Sequence, residues 1–430
     1  MKRVLHIPGY RRLLLAYGLN ELAWSVGTLA LAVLVYRRTG SALGATAFFV
    51  CSQVGPALLS PVLVSRVDQR SPRRVLPMLY ILEAALFGVL AWLTGRFSLP
   101  AVLALVVLDG TVALVARSLA RAATVEILRP VDLLPEGNAL TNVVFSICYM
   151  AGPAIGGVVV AAGGTVAALL VNCGLFAGIG LVLVTTGGLP RAAVDPVPNK
   201  GRVRAALSHV RHDLALRWML VLQAGGAAAF AMSIPVEVVL ASHTLHAGAG
   251  GYGALMSGWG AGAVVGSAVY ARWRRRPALA LMIGSAVTMA LGFVLMAAAP
   301  SIVVAVIGAA LGGVGNGGGL MAAKTMLQDY TPQRWMAMVT SLNESISQVA
   351  PGIGILLGGG LTAVASPRLA LAVAAVGTFA YAVSASFLLR PSRLGDPPDH
   401  AAGDTAGAAP AQPRDTNVPI GMESRETLAS

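Results

Sequence analysis

Twelve apolar runs, each long enough to cross a bilayer and separated by short arginine-bearing segments, constrain this chain more than any other feature. A membrane-spanning α-helix needs about 20 predominantly apolar residues. Reading for such runs, broken by Gly, Pro and charge, places spans at about 12–36, 41–64, 75–95, 99–118, 138–162 and 165–188. Six more follow at about 217–242, 250–271, 278–298, 301–323, 336–364 and 367–390. Only 11% of the 430 residues are charged and 56% are hydrophobic. A soluble domain carries about 25% charged residues, so a single soluble core does not fit this composition.

The positive charges orient the spans, because loops on the cytoplasmic side carry an excess of Lys and Arg. With the N terminus inside, all of the 31 lysines and arginines except Arg37, Arg38, Arg96 and Arg368 fall on inner segments. A wrong number of helices would scramble that alternation. The net charge of +13 would suggest nucleic acid for a soluble protein. Here the charge is spread between spans, so no nucleic-acid partner is expected. Cys51, Cys148 and Cys173 lie inside apolar runs without metal or disulfide spacing, and read as small buried hydrophobes. The N-terminal "MKRVLHIPGYRRLLLAYGLNELAWS" continues past signal-peptide length with no small-residue cleavage site, and reads as a retained first span.

The expected fold is therefore an all-α integral membrane protein with twelve transmembrane helices in two six-helix bundles and both termini cytoplasmic. Residues 1–190 and 217–390 form the bundles. Between them, 191–216 turns from Pro-rich to basic and amphipathic, as in a helix lying along the membrane surface. The tail 391–430 is rich in Ala, Pro, Gly and Asp, and lacks the apolar content to fold.

The halves echo one another. "FSICYMAGPAIGG" (Phe145–Gly157) in the fifth span and "ESISQVAPGIGILLGG" (Glu344–Gly359) in the eleventh both place Ser-Ile ahead of a Gly/Pro cluster. With "YRRLLLAYGLNELAWSVGTLALAVLVYRRTGSALG" near the start and "PVLVSRVDQRSPRRVLPM" between spans two and three, the chain resembles the major facilitator superfamily over about 10–390. Within it, the chain is most similar to the twelve-span, proton-driven macrolide and enterobactin exporters. The resemblance implies a cytoplasmic gate loop at Ser65, Arg66, Asp68, Arg70, Arg73 and Arg74. That loop keeps Arg66 and the Arg73-Arg74 pair. It departs from the family pattern by Ser65 at the acidic position and by two extra residues around Ser71-Pro72, unless Asp68 takes the acidic role. The antiporter-like motif of the fifth span is matched by Gly152, Pro153, Gly156 and Gly157, with Cys148 in place of the leading Gly. Close helix packing around a proline kink is the competing reading of that motif.

Proton coupling needs a group near the bilayer midplane that can lose and regain a proton. A carboxyl inside a span suits, because leaving water favours its neutral form. Glu21 lies midway along span one and Asp109 midway along span four. Arg117 follows Asp109 by two turns, about 12 Å along the helix and close to the same face. Glu21 and Asp109 are the first choices for the proton, with Arg117 as the charge that tunes or replaces it. A structural polar pair is the alternative. Glu237 after Pro235, and Glu344 beside Asn343 and Gln348, are further cavity candidates. Glu83 in span three is expected to make a structural hydrogen bond, and Lys324 to reach for the membrane surface. "GGVGNGGG" (Gly312–Gly319) contains a G-x-G-x-x-G match but follows no strand, so it reads as a flexible stretch of span ten. His243 and His246 have metal-like spacing without further ligands, and His209 and His212 belong to the basic surface stretch. No metal site, catalytic group or cofactor is expected; no P-loop appears, so ATP is not the direct energy source, and the resemblance implies a proton gradient in its place.

Together these residues suggest a multi-pass carrier of the cell membrane, acting as a monomer with a small molecule and the lipid bilayer as partners. The leading expectation is export of an amphiphilic small molecule (drug, siderophore or metabolite) by proton antiport and alternating access. An uptake carrier or uniporter, and a non-transporting receptor or scaffold of the same fold, are the alternatives.

Overall fold

The computed structural model describes residues 2–67, 72–184, 210–211, 213–273, 275–331 and 336–389. After one helical turn at Lys2–Leu5, the first half contains α1 (Pro8–Thr39), α2 (Ala42–Val67), α3 (Pro72–Leu93) and α4 (Leu99–Leu128). It ends with a helical stretch, Leu134–Val184, that is broken at Gly164 (φ 76°, ψ 176°). We number its parts α5 (134–163) and α6 (165–184). Such backbone angles are open essentially to glycine alone, so one residue turns the chain where the sequence left a gap between spans five and six. The second half begins with α7 (Leu214–Ala231), which continues through Ser233–Val239 and a wider π turn at Leu240–Thr244. It goes on through α8 (Gly248–Trp273), α9 (Ala278–Ala298), α10 (Ile302–Asp329), α11 (Met336–Val364) and α12 (Pro367–Leu388).

Ten segments among the described residues are long and apolar enough to cross a membrane, and one of these, Glu136–Val184, holds both α5 and α6. The remaining helix, α11, has 29 residues, and Asn343, Ser345 and Ser347 lower the hydropathy of its first half. The expected boundaries match closely for most helices, but α4 continues to Leu128 instead of stopping near 118. Hydropathy marks where hydrocarbon ends. The Ala, Arg, Leu and Glu of "ARSLARAATVEIL" remain good helix formers beyond it. The outward side chains are apolar too: Trp92, Val158, Leu181, Val303 and Val376 are all about two-thirds exposed. In water such a belt would aggregate; in lipid it is solvated.

Within the first half, α1 packs on α5 and α6, α3 on α6, and α2 on α4; the second half is held by α8–α10, α9–α10, α9–α12 and α7–α11 contacts. The halves meet through α5 against α8 and α2 against α11. A continuous hydrophobic core runs through the first half and joins α7–α12 at the end away from the N terminus, including Val236, Leu255, Phe293 and Ile355. Toward the N-terminal end, the second half has a separate core built on Leu216, Met282, Met326 and Leu389. Among the described residues, the hydrophobic core shared by the halves lies at the end away from the N terminus. The internal echo has a physical counterpart in this arrangement. Gly157 packs on α8, while Gly352 and Gly359 pack on α2, so the two similar stretches make equivalent crossings between halves.

Three of the four arginines that break the charge alternation have local partners. Arg38 donates to the Thr94 carbonyl (2.8 Å) and Arg368 to the Ala299 carbonyl (2.9 Å), satisfying carbonyls that follow α3 and α9. Arg96 stacks over the Trp92 ring at 5.6 Å. Of the middle segment, Val210 and Arg211 are helical, and Asp213 caps α7 by accepting from the Leu216 N–H (3.0 Å). Its remainder through 209, His212, and the tail from Arg390 lie outside the described residues.

Candidate functional site: a polar cluster beside a central cavity

Between the halves lies a cavity of about 400 Å³, within the range that takes drug-sized ligands. Helices α1 to α8 line it. One wall carries Asn20, Trp24, Gln53, Asp109 and Arg117; the other carries Phe230, Glu237, Tyr252 and Trp259, with Tyr149 from α5 between them.

Asp109 and Arg117 face the cavity together, as their spacing on α4 requires. Asp109 Oδ1 and Arg117 Nε are buried and have no hydrogen-bond partner. Glu21 does not line the cavity. It lies behind the wall, buried, with Oε1 3.7 Å from Arg117 Nη2, and it accepts from Asn20 Nδ2 at 3.4 Å. The Arg117 guanidinium also lies over the Trp24 ring at 5.7 Å. Arg117 is therefore held on one side by an ion pair and on another by a ring face.

Glu83 departs from expectation. It is fully buried on α3 and neither carboxyl oxygen has a hydrogen-bond partner, so the structural hydrogen bond is not made. Its electrostatic neighbours are Asp109 and Arg117. Arg117 thus pairs with Glu21 and is an electrostatic neighbour of Glu83 and Asp109. Burying more carboxyls than cations is expensive.

Glu237 also lines the cavity, on the opposite wall. Glu344 lies on α11, none of whose described side chains lines the cavity, and its own side chain is outside those described. Its neighbours Asn343 and Ser347 line a second cavity of about 290 Å³ with Gln223 and Lys324. Lys324 is exposed, in keeping with a side chain that reaches for the surface, and its stem borders this second space. Ser65 and Arg66 fall in the last turn of α2, and Arg73 and an exposed Arg74 in the first turns of α3. Asp68 and Arg70 of the same loop lie outside the described residues.

The fifth-helix motif divides its contacts. Gly152 packs on Ser25 and Gly156 on Val26, both of α1, while Gly157 meets the Ala249 carbonyl and the Gly253 Cα of α8. Pro153 lines the cavity, and its carbonyl also faces Gly253. Where the motif has its leading glycine, the Cys148 thiol donates to the Gly18 carbonyl of α1 (3.4 Å). The Gly312–Gly319 stretch is a correction: it is a packing surface, not a flexible one. A Cβ at Gly313 or Gly317 would strike the backbone of Trp259 or Ala263 on α8, and one at Gly315 the backbone of Ser285 on α9.

Sequence reading missed Gln53, Tyr149, Tyr252 and Trp259. Gln53 was detectable as a polar residue within an apolar run. The aromatic residues read as ordinary span residues, and nothing in their spacing shows which way they face.

These features define a polytopic helical membrane protein with a cavity between its two halves. The chain matches the Major Facilitator Superfamily over residues 13–299 and again over 224–420, and it belongs to that family. No curated protein sequence matches it. Among solved structures, it is similar to the nucleoside transporter NupG at 12% identity, covering 89% of this chain and 99% of that one with a TM-score of 0.73. It is also similar to a bacterial homologue of the iron transporter ferroportin in an inward-facing state, at 12% identity, 88% and 98% coverage and a TM-score of 0.71. The POT family transporter PepTSo aligns at 10% identity, 91% and 99% coverage and a TM-score of 0.69. At these identities the likeness concerns fold alone. The protein is a multi-pass membrane transporter, not an enzyme.

Proposed function

We propose that the protein exports an amphiphilic small molecule across the cytoplasmic membrane in exchange for protons, acting as a monomer by alternating access. The observation that carries this reading is the group of charged side chains inside spans, Arg117 paired with Glu21 and an electrostatic neighbour of Glu83 and Asp109, with Asp109 and Arg117 lining the cavity. A carboxyl facing the cavity from within a span is a group that can lose and regain a proton during transport, and Arg117 is the positive charge beside it. A proton arriving from the outer side and leaving to the inner side would recharge Asp109 on each cycle and couple the gradient to rocking of the halves. The loop between α2 and α3, with Arg73 and Arg74 in its helical shoulder, would act at the inner gate. The aromatic lining supports an amphiphilic cargo, since rings contribute contact area without fixing one geometry.

The test is transport in inside-out vesicles with an imposed proton gradient, using neutral, cationic and anionic fluorescent amphiphiles. The reading expects at least one dye to accumulate when the lumen is acid, and a protonophore to abolish that accumulation. Gradient-independent equilibration of every transported dye would instead favour a uniporter. Accumulation only with the opposite gradient would mean uptake by symport.

A further inference from the structure

We propose that the cavity takes an amphiphilic monovalent cation and that Glu237 supplies its counter-charge. This rests on the carrier reading above but not on proton coupling. Four observations carry it.

First, the two walls of the cavity differ in how their charge is balanced. On the α4 wall, Arg117 serves Glu21, Asp109 and Glu83. On the α7 wall, Glu237 has no cationic partner among the described residues: Ser233, Tyr149 and Tyr252 are its electrostatic neighbours. A buried carboxyl with no protein cation opposite it is free to pair with a cation from the ligand.

Second, Glu237 is 8% exposed and lines the cavity, so that remaining access is to the ligand's space. Third, Tyr149 and Tyr252, the electrostatic neighbours of Glu237, come from different helices, α5 and α8, and both line the cavity with it. Aromatic rings beside a desolvated acid form a cation-selective setting, because ring faces attract positive charge while the acid neutralises it. Fourth, Trp259 is 4% exposed and lines the same wall, yet its Nε1–H has no partner. Phe230 and Phe293 hold the indole in place, with ring centroids 5.3 and 5.5 Å away. A buried donor left open in this way is expected to find its acceptor on an arriving ligand or water. The ligand inferred is an organic cation with an apolar body, and an acceptor atom on it would add affinity through Trp259.

The experiment uses two probes of closely similar size and shape but opposite charge, tetraphenylphosphonium and tetraphenylborate. Binding to the full-length protein in detergent is measured by equilibrium dialysis, with no gradient present. Wild type should bind tetraphenylphosphonium at least tenfold more tightly than tetraphenylborate. Glu237→Gln should weaken the cation at least tenfold and leave the anion unchanged or tighter. Glu237→Asp, which keeps the charge, should retain cation binding within a few-fold, and it serves if the Gln variant does not fold. Equal affinity for both ions, tighter binding of the anion, or binding of neither overturns the proposal. So does cation binding that is indifferent to Glu237→Gln. The two readings fail separately. A protein that binds the cation through Glu237 without gradient-driven transport would refute only the coupling. One that drives neutral or anionic dyes by the gradient, with no cation preference, would refute only this inference.

Discussion

Substituting Gly253 by Ala should shift the carrier away from the conformation described above. In that conformation, a Cβ at Gly253 would lie 2.6 Å from the Pro153 carbonyl oxygen and 2.9 Å from the Gly157 Cα, both backbone atoms of α5. Neither can swing aside as a flexible side chain would, so α5 and α8 must separate. Overpacking of this kind costs about 1–3 kcal/mol. The penalty applies only while the halves are joined at the end away from the N terminus, and vanishes in the state where they part there. The equilibrium should therefore move about 5- to 150-fold toward that state. The assay is the rate at which a membrane-impermeant maleimide, added from the face opposite the N terminus, labels Leu31→Cys in a background lacking Cys51, Cys148 and Cys173. Leu31 is buried and lines the cavity, so it reports access from that face. A folded Gly253→Ala protein that labels at the parent rate would refute the argument that this crossing holds the joined end closed.

Other substitutions test the packing and the cluster separately. Gly313→Ala should prevent α8 and α10 from seating and reduce folded yield, because its Cβ meets the Trp259 backbone; Gly284→Ala, with nothing within 4 Å, should leave yield unchanged. Size-exclusion profiles of the two variants check this. Glu83→Leu removes two unpartnered buried oxygens and should raise stability by about 1–3 kcal/mol, read as a higher apparent Tm in detergent. Arg117→Met leaves Glu21 and Asp109 without their cation. Breaking a buried pair costs about 3–5 kcal/mol, reduced here because the Arg117 side chain is 26% exposed. Adding Glu21→Met should return part of that loss, which a double-mutant thermal-melt cycle measures.

The fold was largely legible because hydropathy and positive charge act one residue at a time. Runs of apolar residues set the helices, and the gap before 165 held the glycine that turns α5 into α6. The α4 overrun was not legible from hydropathy, since helix propensity continues past the hydrocarbon edge. At the site, Asp109 and Arg117 stood out as charges inside an apolar helix at a spacing that shares one face. Glu83 was misread because its surroundings depend on how α3 is rotated against its neighbours. A single chain carries no direct record of that angle. The glycines of α10 were misread for a related reason. The same composition serves flexibility or close contact, and only the partner helix, with Trp259 and Ala263 facing them, decides which. Tyr149, Tyr252 and Trp259 come together across α5 and α8, a convergence set by tertiary packing and absent from local pattern.

The most direct test of the central claim, that protons on the α4 cluster power transport, is gradient-driven accumulation in proteoliposomes containing Asp109→Asn protein. The dye should be one that the wild type concentrates. The account predicts that this variant, which can no longer release a proton at position 109, lets the dye equilibrate across the membrane but no longer concentrates it. Accumulation equal to that of the wild type under the same proton gradient would contradict it.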